Sequence, residues 1–184
     1  MSFKNHKLEF HENKILDVET DLEVMMNWEK NLMKEHAKIA CHNQGDVLEI
    51  GFGMGISATE IQKLKPKSHT IVEPHLQILE ALYEWAEGKE NIIIIEGEWL
   101  KELHQLKKYD GIFFDPFGDS DYKKFSDHAL NLIKPNGKIT FWNSMSKPEN
   151  VYNLEASYKE ISIKPPKNTY FNHEKYFLPI VGEK

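Results

Sequence analysis

The sequence predicts one α/β domain in which a mainly parallel sheet of seven strands carries helices on both faces. From residue 46 onward, short apolar runs of strand length alternate with segments of helical period, the pattern of parallel strands joined by crossover helices. The first of these runs leads directly into a glycine-rich turn. A length of 184 residues suits a single domain. We divide it into an N-terminal arm at residues 1–21 and a domain at residues 22–184.

The first periodic segment, residues 22–40, is predicted to be a helix. Its apolar residues recur at helical spacing and share one broad face. Steps of about 100° place Glu29 and His36 in the middle of that face. A carboxylate there is costly unless it has a partner. Glu29 is therefore a candidate functional residue, and the alternative is a helix residue that points to water.

The remaining elements follow in regular order. We predict strands at residues 46–50, 69–72, 91–96, 109–114 and 138–143, with helices at residues 56–64, 75–86 and 119–133. Residues 135–137 are expected to turn the chain before the fifth strand. Two further β-like runs, residues 158–163 and 176–181, add an antiparallel pair at one edge of the sheet.

Composition excludes several classes of protein. The longest apolar runs are too short to cross a bilayer, and the polar residues 1–14 predict no secretory signal. The single cysteine, Cys41, favours a reducing compartment, so we expect a cytoplasmic protein. A net charge of −6 gives no reason to expect nucleic acid as a partner. The nine histidines show no metal-ligand spacing, so no metal site is expected.

The glycine-rich turn predicts a cofactor site. Gly51, Gly53 and Gly55 occupy alternate positions after the strand that contains Glu49. Glycine lets a backbone approach a ligand closely, but a dinucleotide fingerprint spaces its glycines G-x-G-x-x-G. An acidic residue before the loop would repel a pyrophosphate and suits the ammonium of a methionine moiety. S-adenosylmethionine is therefore the predicted cofactor, with Met54 of the same loop beside it.

A second acidic residue supports this interpretation. Glu73 ends the second strand, 22 residues beyond Gly51, where a carboxylate can hydrogen-bond both ribose hydroxyls. Gly97, Glu98 and Trp99 follow the third strand, where such folds place backbone and an apolar wall against adenine. The alternatives are a tight turn without a ligand, glutamates that cap helices, and Trp99 in the core.

The fourth strand ends at Asp115-Pro116-Phe117, beside the expected methyl group. Enzymes that methylate amino groups often place an acidic or amide residue, a proline and an aromatic residue there, so that oxygens orient the acceptor nitrogen. Asp115 and Glu29 are thus two candidate carboxylates for one acceptor. The alternative for Asp115 is a cap on the following helix.

Several motifs in order make the chain similar to guanidinoacetate N-methyltransferases and to the catalytic domain of fungal protein-arginine delta-N-methyltransferases, which are Rossmann-like class I methyltransferases that use S-adenosylmethionine. The resemblance spans residues 24–143 and a terminal hairpin near Pro165-Pro166. It implies that Glu29 and Asp115 hold a guanidinium. The motifs are Val24-Met25-Met26-Asn27-Trp28-Glu29, Glu49-Ile50-Gly51-Phe52-Gly53-Met54-Gly55, Ile71-Val72-Glu73, Glu96-Gly97-Glu98-Trp99, Tyr109-Asp110-Gly111-Ile112-Phe113-Phe114-Asp115 and Leu132-Ile133-Lys134-Pro135-Asn136-Gly137.

With the resemblance in place, we assign Met33 to the cofactor side and Trp28, Phe117 and Asn143 to the acceptor. Phe117 stands where animal guanidinoacetate enzymes carry a tyrosine. The chain contains no arginine, so an arginine anchor for the acetate of guanidinoacetate is excluded.

The expected acceptors are therefore arginine, agmatine or an arginine side chain in a peptide or protein, with guanidinoacetate disfavoured. Alternatives are a methyltransferase of another amine or amide nitrogen, and a cofactor-binding subunit without catalysis. The segment between Asn143 and Tyr158 is short, which favours an open acceptor pocket.

Overall fold

The structure is a computed structural model that describes residues 2–119, 122–149 and 152–182. Its regular elements, apart from short 3₁₀ turns, are four helices and ten strands within these ranges. In chain order they are β1 (Leu8–Phe10), β2 (Lys14–Asp17), β3 (Leu22–Met26), α1 (Lys30–Ala40), β4 (Asp46–Ile50), α2 (Ile56–Lys63), β5 (Ser68–Glu73), α3 (Leu76–Ala86), β6 (Ile92–Glu96), β7 (Tyr109–Phe114), α4 (Phe125–Leu132), β8 (Ile133–Phe141), β9 (Ala156–Ser162) and β10 (Lys175–Val181).

The central sheet has seven strands in the order β6-β5-β4-β7-β8-β10-β9. The first five are parallel, and β10 runs antiparallel to both β8 and β9. The predicted mainly parallel sheet with an antiparallel terminal hairpin is confirmed. The chain reverses its direction of progress across the sheet between β4 and β7, which places the carboxyl ends of these neighbouring strands beside a crevice.

Helices cover both faces of this sheet, as predicted. The side chains of β4 alternate between the faces, and each face packs against a different set of helices. Val47 lies with residues of α1 and α2 in one buried cluster, and Ile71 of β5 lies with α3 in another. Leu48 and Ile50 face the opposite side, where they pack with α4. No helix within the described residues is both long and apolar enough to span a bilayer.

The prediction of a helix over residues 22–40 is wrong at its start. Leu22–Met26 is the strand β3, and the helix α1 begins only at Lys30, after a 3₁₀ turn at Asn27–Glu29. β3 pairs antiparallel with β2, which pairs with β1, to form a separate three-stranded sheet. Strand pairing with β2 overrides the helical spacing of the apolar residues. Leu16 of β2 pairs with Glu23 of β3, so this small sheet spans the proposed boundary at residue 21. The division into an arm and a domain stays a prediction.

The helix predicted at residues 119–133 is shorter in the structure. It begins at Phe125 after a 3₁₀ turn at Tyr122–Lys124 and ends at Leu132, and residues 120 and 121 lie outside the described residues. β8 already begins at Ile133, because Ile133 pairs with Tyr109. The expected turn at residues 135–137 is therefore an irregularity inside β8, where Asn136 has a φ of 64° and the register with β7 shifts.

His36 joins α1 to the sheet. It is fully buried, as its place on the apolar face predicted. Its Nδ1 lies 2.7 Å from Thr140 Oγ1 of β8, and its Nε2 lies 2.8 Å from the Tyr176 hydroxyl of β10. Burial lowers the pKa of His36 to about 3, so the ring stays neutral, and it links one hydroxyl to the other.

We expect His36→Ala to lower the free energy of unfolding by about 3 kcal/mol, because it leaves a cavity and deprives two buried hydroxyls of a partner. Chemical denaturation followed by circular dichroism measures this. His42→Ala is the matched control, since His42 is exposed at the end of the same helical segment. Equal stability of the two variants would contradict the assigned role.

Candidate functional site

A cavity opens at the carboxyl ends of the parallel strands. Gly51 after β4, Glu73 at the end of β5 and Asp115 after β7 all line it. Further parts of its wall come from the N-terminal residues, β3, the turn before α1, the segments after β6, β7 and β8, and the region before β10. This is the edge at which open α/β sheets bind ligands.

The glycine loop forms the floor of the cavity. Gly51 has a φ of 91°, and a Cβ at this position would lie 2.4 Å from the Asp115 carbonyl oxygen, so only glycine fits. Gly53 and Gly55 also have positive φ, and Gly55 precedes the first residue of α2. Gly51 and Gly53 line the cavity. Neither Gly55 nor Met54 is part of the cavity wall. The backbone N–H of Met54 instead donates to the Met25 sulfur at 3.3 Å.

Glu49 lies behind this loop. Its carboxylate accepts a hydrogen bond from the Ser57 hydroxyl of α2 and lies 2.8 Å from His69 Nε2 of β5. The side chain is fully buried and does not line the cavity, although Ser57 does. Met33 is likewise fully buried in the cluster under α1. A contact of Glu49 or Met33 with the cofactor stays a prediction.

Glu73 lines the cavity with its carboxylate already oriented. Its two oxygens accept hydrogen bonds of 2.9 Å from the backbone N–H groups of Phe52 and His75. Burial raises the pKa of Glu73 to about 7 in spite of these bonds. The remaining acceptor capacity of a carboxylate, beyond these two bonds, is available to a ligand hydroxyl.

The segment after β6 supplies another wall. Gly97, Glu98 and Trp99 all line the cavity, and their contact with an adenine stays a prediction. The Trp99 ring is buried, and its Nε1–H donates to the Asp119 carboxylate at 2.6 Å. Glu98 forms ion pairs with Lys101 and, at 2.9 Å, with Lys4 of the N-terminal arm.

Glu29 and Asp115 line the same cavity, and the charge of Glu29 acts on Asp115. Glu29 lies in the 3₁₀ turn before α1 and is only 3% exposed. Its Oε1 accepts hydrogen bonds from the Met26 backbone N–H at 2.9 Å and from the Tyr170 hydroxyl at 2.5 Å. Among the described residues, none donates a hydrogen bond to the Asp115 carboxylate, which therefore retains its full acceptor capacity.

Burial perturbs both carboxyl groups. It raises the pKa of Glu29 to about 7, against the lowering effect of the two hydrogen bonds. The pKa of Asp115 is raised well above its ordinary value by burial and by the negative charges of Glu29 and Glu49. Two desolvated acids that repel each other, one buried and one partly buried, are a costly arrangement for folding, and a bound cation would relieve the repulsion. Perturbed groups of this kind cluster at functional sites.

The three residues assigned to the acceptor lie in different surroundings. Phe117 lines the cavity, with its ring 4.8 Å from that of Phe3. Trp28 stacks on Tyr170 behind the cavity wall. Asn143 is buried outside the wall, where its side chain donates to the Phe177 carbonyl and accepts from the Met145 N–H. A direct role for Asn143 or Trp28 in acceptor binding stays a prediction.

Sequence reasoning missed three parts of the site. Tyr170 and Trp142 line the cavity, and so do residues 2–4 of the arm, where Phe3 packs on His75 and Phe117. Tyr170 follows Pro165-Pro166 in a segment without regular structure, so no periodicity marks it. The aromatic residues around it were the available signal. His6, Asp17 and Glu19 form the one group of potential metal ligands found among the described residues, and it lies outside the cavity wall.

Comparison with known proteins assigns the chain to a family. The family model of guanidinoacetate N-methyltransferase matches residues 3–181. The protein arginine N-methyltransferase 2 of Candida glabrata is 30% identical over 98% of this chain and 52% of its own length. The protein of the same name from Saccharomyces cerevisiae is 29% identical over 94% of this chain and 50% of its own length. The chain thus spans about half the length of these relatives.

Solved structures agree on the fold. Spermidine synthase from Thermotoga maritima superposes with a TM-score of 0.67 at 11% identity, over 95% of this chain and 71% of its own. The N-methyltransferase NodS from Bradyrhizobium japonicum, in complex with S-adenosyl-L-homocysteine, superposes with a TM-score of 0.62 at 13% identity, over 84% of this chain and 86% of its own. The fold is Rossmann-like, and on the match over residues 3–181 the chain belongs to the guanidinoacetate N-methyltransferase family.

Proposed function

We propose that this chain transfers a methyl group from S-adenosylmethionine to a nitrogen of a guanidino group. The observation that carries the proposal is the pair of desolvated carboxyl groups, the buried Glu29 and the partly buried Asp115, which line one cavity beside the glycine loop. The relatives named protein arginine N-methyltransferase 2 support a guanidino acceptor. A cytoplasmic location is part of the proposal and rests on the single cysteine.

The residues present fit S-adenosylmethionine. Gly51 and Gly53 line the cavity without side chains, so a ligand can lie directly on the backbone of the loop. Glu73 retains acceptor capacity for ribose hydroxyls, and Trp99 with Gly97 offers a flat apolar wall for adenine. When bound, this cofactor supplies an electrophilic methyl group.

The chemistry of the acceptor explains why two carboxylates are needed. A guanidinium has a pKa above about 12 and lacks a free lone pair on nitrogen. Two desolvated carboxylates can accept hydrogen bonds from its N–H groups and fix the orientation of the guanidinium plane, so that one nitrogen points toward the methyl group. Tyr170 fixes Glu29 for this task through its 2.5 Å hydrogen bond. As the new N–C bond forms, the proton released by nitrogen passes to one of the two carboxylates, whose raised pKa values favour proton acceptance.

The acceptors we propose are arginine, agmatine or an arginine side chain rather than guanidinoacetate. Because the chain has no arginine, no guanidinium fork is available for the acetate of guanidinoacetate. A screen of guanidino metabolites and arginine peptides with methyl-labelled cofactor, followed by mass spectrometry of the products, tests the proposal. Methylation of an amide or ring nitrogen instead would contradict it, and so would tight binding of S-adenosylhomocysteine without turnover on any guanidino compound.

We expect Glu73→Ala to weaken S-adenosylmethionine binding by roughly 1–3 kcal/mol, the usual cost of losing hydrogen bonds to a charged group. Isothermal titration calorimetry measures this. Glu96→Ala is the matched control, because Glu96 lies beside Glu73 in register on β6 but is exposed and outside the cavity wall. Unchanged affinity in Glu73→Ala would remove Glu73 from the cofactor site.

A further inference from the structure

We propose that Glu23 selects acceptors that carry a second positive charge in addition to the guanidinium. The inference rests on the proposed guanidino methylation and specifies the chemical class of its substrate. Glu23 lies on β3, in the part of the chain where the sequence predicted a helix. It lines the same cavity as Glu29 and Asp115, and none of the motifs of the sequence analysis includes it.

Hydrogen bonds from Thr169 fix the side chain of Glu23 in the cavity wall. One of its oxygens, Oε2, accepts hydrogen bonds from the backbone N–H of Thr169, at 3.1 Å, and from the Thr169 hydroxyl. The next residue, Tyr170, donates its hydroxyl to Glu29. Consecutive residues therefore hold the two carboxylates, so Glu23 stands at a fixed place relative to the group that binds the guanidinium.

Glu23 differs from Glu29 in its charge state. Burial by itself would raise the pKa of Glu23, but the hydrogen bonds from Thr169 and the positive charge of Lys14 outweigh this effect and hold the pKa below its ordinary value. Lys14 Nζ forms an ion pair with Oε1 at 3.6 Å, a distance that is beyond a hydrogen bond, and Lys14 lies outside the cavity wall. Glu23 is thus ionised at neutral pH and faces the cavity.

The wall of the cavity as a whole is acidic. Among the described residues it contains six carboxyl groups but a single cationic side chain, Lys4, which is paired with Glu98. The carboxyl groups are those of Glu23, Glu29, Glu73, Glu98, Asp115 and Asp119. Glu73 is assigned to the cofactor, and Glu29 and Asp115 are assigned to the guanidinium. Glu98 is paired with Lys4 and Lys101, and Asp119 accepts from Trp99. Glu23 therefore remains for the far end of the acceptor. An ammonium there gains a charge-assisted hydrogen bond, whereas a carboxylate is repelled.

Three acceptors of matched length isolate this effect. They are agmatine (4-guanidinobutylamine), butylguanidine and 4-guanidinobutyrate. All three carry a four-carbon tail on the guanidino group, and the end of the tail is positive, neutral and negative, respectively. We expect kcat/KM to fall in that order, with the amine preferred over the neutral compound by about 10-fold, the scale of one hydrogen bond to a charged group. In Glu23→Gln, kcat/KM for the amine should fall more than kcat/KM for butylguanidine, so that the preference for the amine narrows to within about 2-fold.

Glu23→Gln keeps an oxygen that can accept from Thr169, so the variant tests charge rather than folding. Its melting temperature and its Kd for S-adenosylmethionine are measured alongside. Glu12→Gln is the matched control, because Glu12 is exposed in the turn between β1 and β2 and loses the same charge outside the cavity wall. It should keep the full preference for the amine.

The outcomes separate the two proposals. Equal kcat/KM for the amine and the neutral compound in the wild type would overturn the role of Glu23 and leave guanidino methylation standing. Absence of methylation on all three compounds and on arginine peptides would overturn guanidino methylation itself. A weaker Kd for S-adenosylmethionine in Glu23→Gln, with an equal loss on every acceptor, would place Glu23 at the cofactor and overturn its role in acceptor choice.

Discussion

Glu29→Gln and Asp115→Asn should each lower turnover by roughly 100-fold or more, the scale of lost general-base assistance. Both substitutions keep the size and shape of the side chain but remove the negative charge that attracts and deprotonates a guanidinium. The loss should fall mainly on kcat, because the charge is needed most as the proton leaves the nitrogen. Steady-state kinetics with the best acceptor of the screen measures the effect.

Cofactor affinity and folding separate this role from a structural one. The Kd for S-adenosylmethionine should barely change, because neither side chain is assigned to the cofactor. Stability should hold or rise by up to about 2 kcal/mol, since each variant removes a buried charge and the repulsion between Glu29 and Asp115. Asp127→Asn on α4 is a control for the aspartate, as Asp127 is exposed. Near-normal turnover in either site variant would show that the residue does not hold the acceptor, and a collapse of Tm would indicate a structural role.

The parallel part of the fold was predictable because its signals are local. Each strand from β4 to β7 is a short apolar run bounded by glycine, proline or charged residues, and the structure confirms all four within two residues at either end. The glycine loop was predictable for the same reason, since only glycine fits at Gly51. The right-handedness of parallel crossovers limits the possible strand orders, but the order itself, with β7 beside β4, is seen only in the structure.

The antiparallel elements near the N-terminus were not predictable from one sequence. Met25 and Met26 are good helix formers, and only their pairing with Ile15 and Lys14 of β2 makes them a strand. The burial of Glu29 was still predicted correctly, because it precedes α1 directly and points to the same side as the buried face of that helix. Tyr170 was missed because a contact across 141 residues leaves no trace in local spacing.

The catalytic efficiency kcat/KM should fall by at least about 30-fold between pH 8.5 and pH 5.5, because it reports the ionisation of essential groups in the enzyme before the acceptor binds. The pKa of Glu29 is raised to about 7 by burial, and that of Asp115 is raised as well. Both must be ionised to hold a guanidinium, which itself does not titrate in this range. Activity, measured at saturating cofactor, should therefore rise with pH through about 7, where Glu29 ionises.

Two further measurements tie the acid limb to this site. The Tyr170 hydroxyl lowers the pKa of Glu29. Tyr170→Phe should therefore move the rise of activity with pH, the acid limb of the profile, to higher pH.

The stability of the fold should depend on pH in the opposite direction to activity. The pKa of Glu29 is higher in the folded state, about 7, than its ordinary value of 4.5, so the folded protein binds more protons between these pH values. Stability contributed by this group is present at low pH and is lost as pH rises through about 7.

The gain in Tm of Glu29→Gln over the wild type should therefore grow from pH 5.5 to pH 8, while wild-type activity rises over the same range. Loss of activity at low pH thus cannot be attributed to unfolding at this site. An acid limb that stays in place in Tyr170→Phe, or a Tm difference that shrinks as pH rises, would show that Glu29 is not the titrating group.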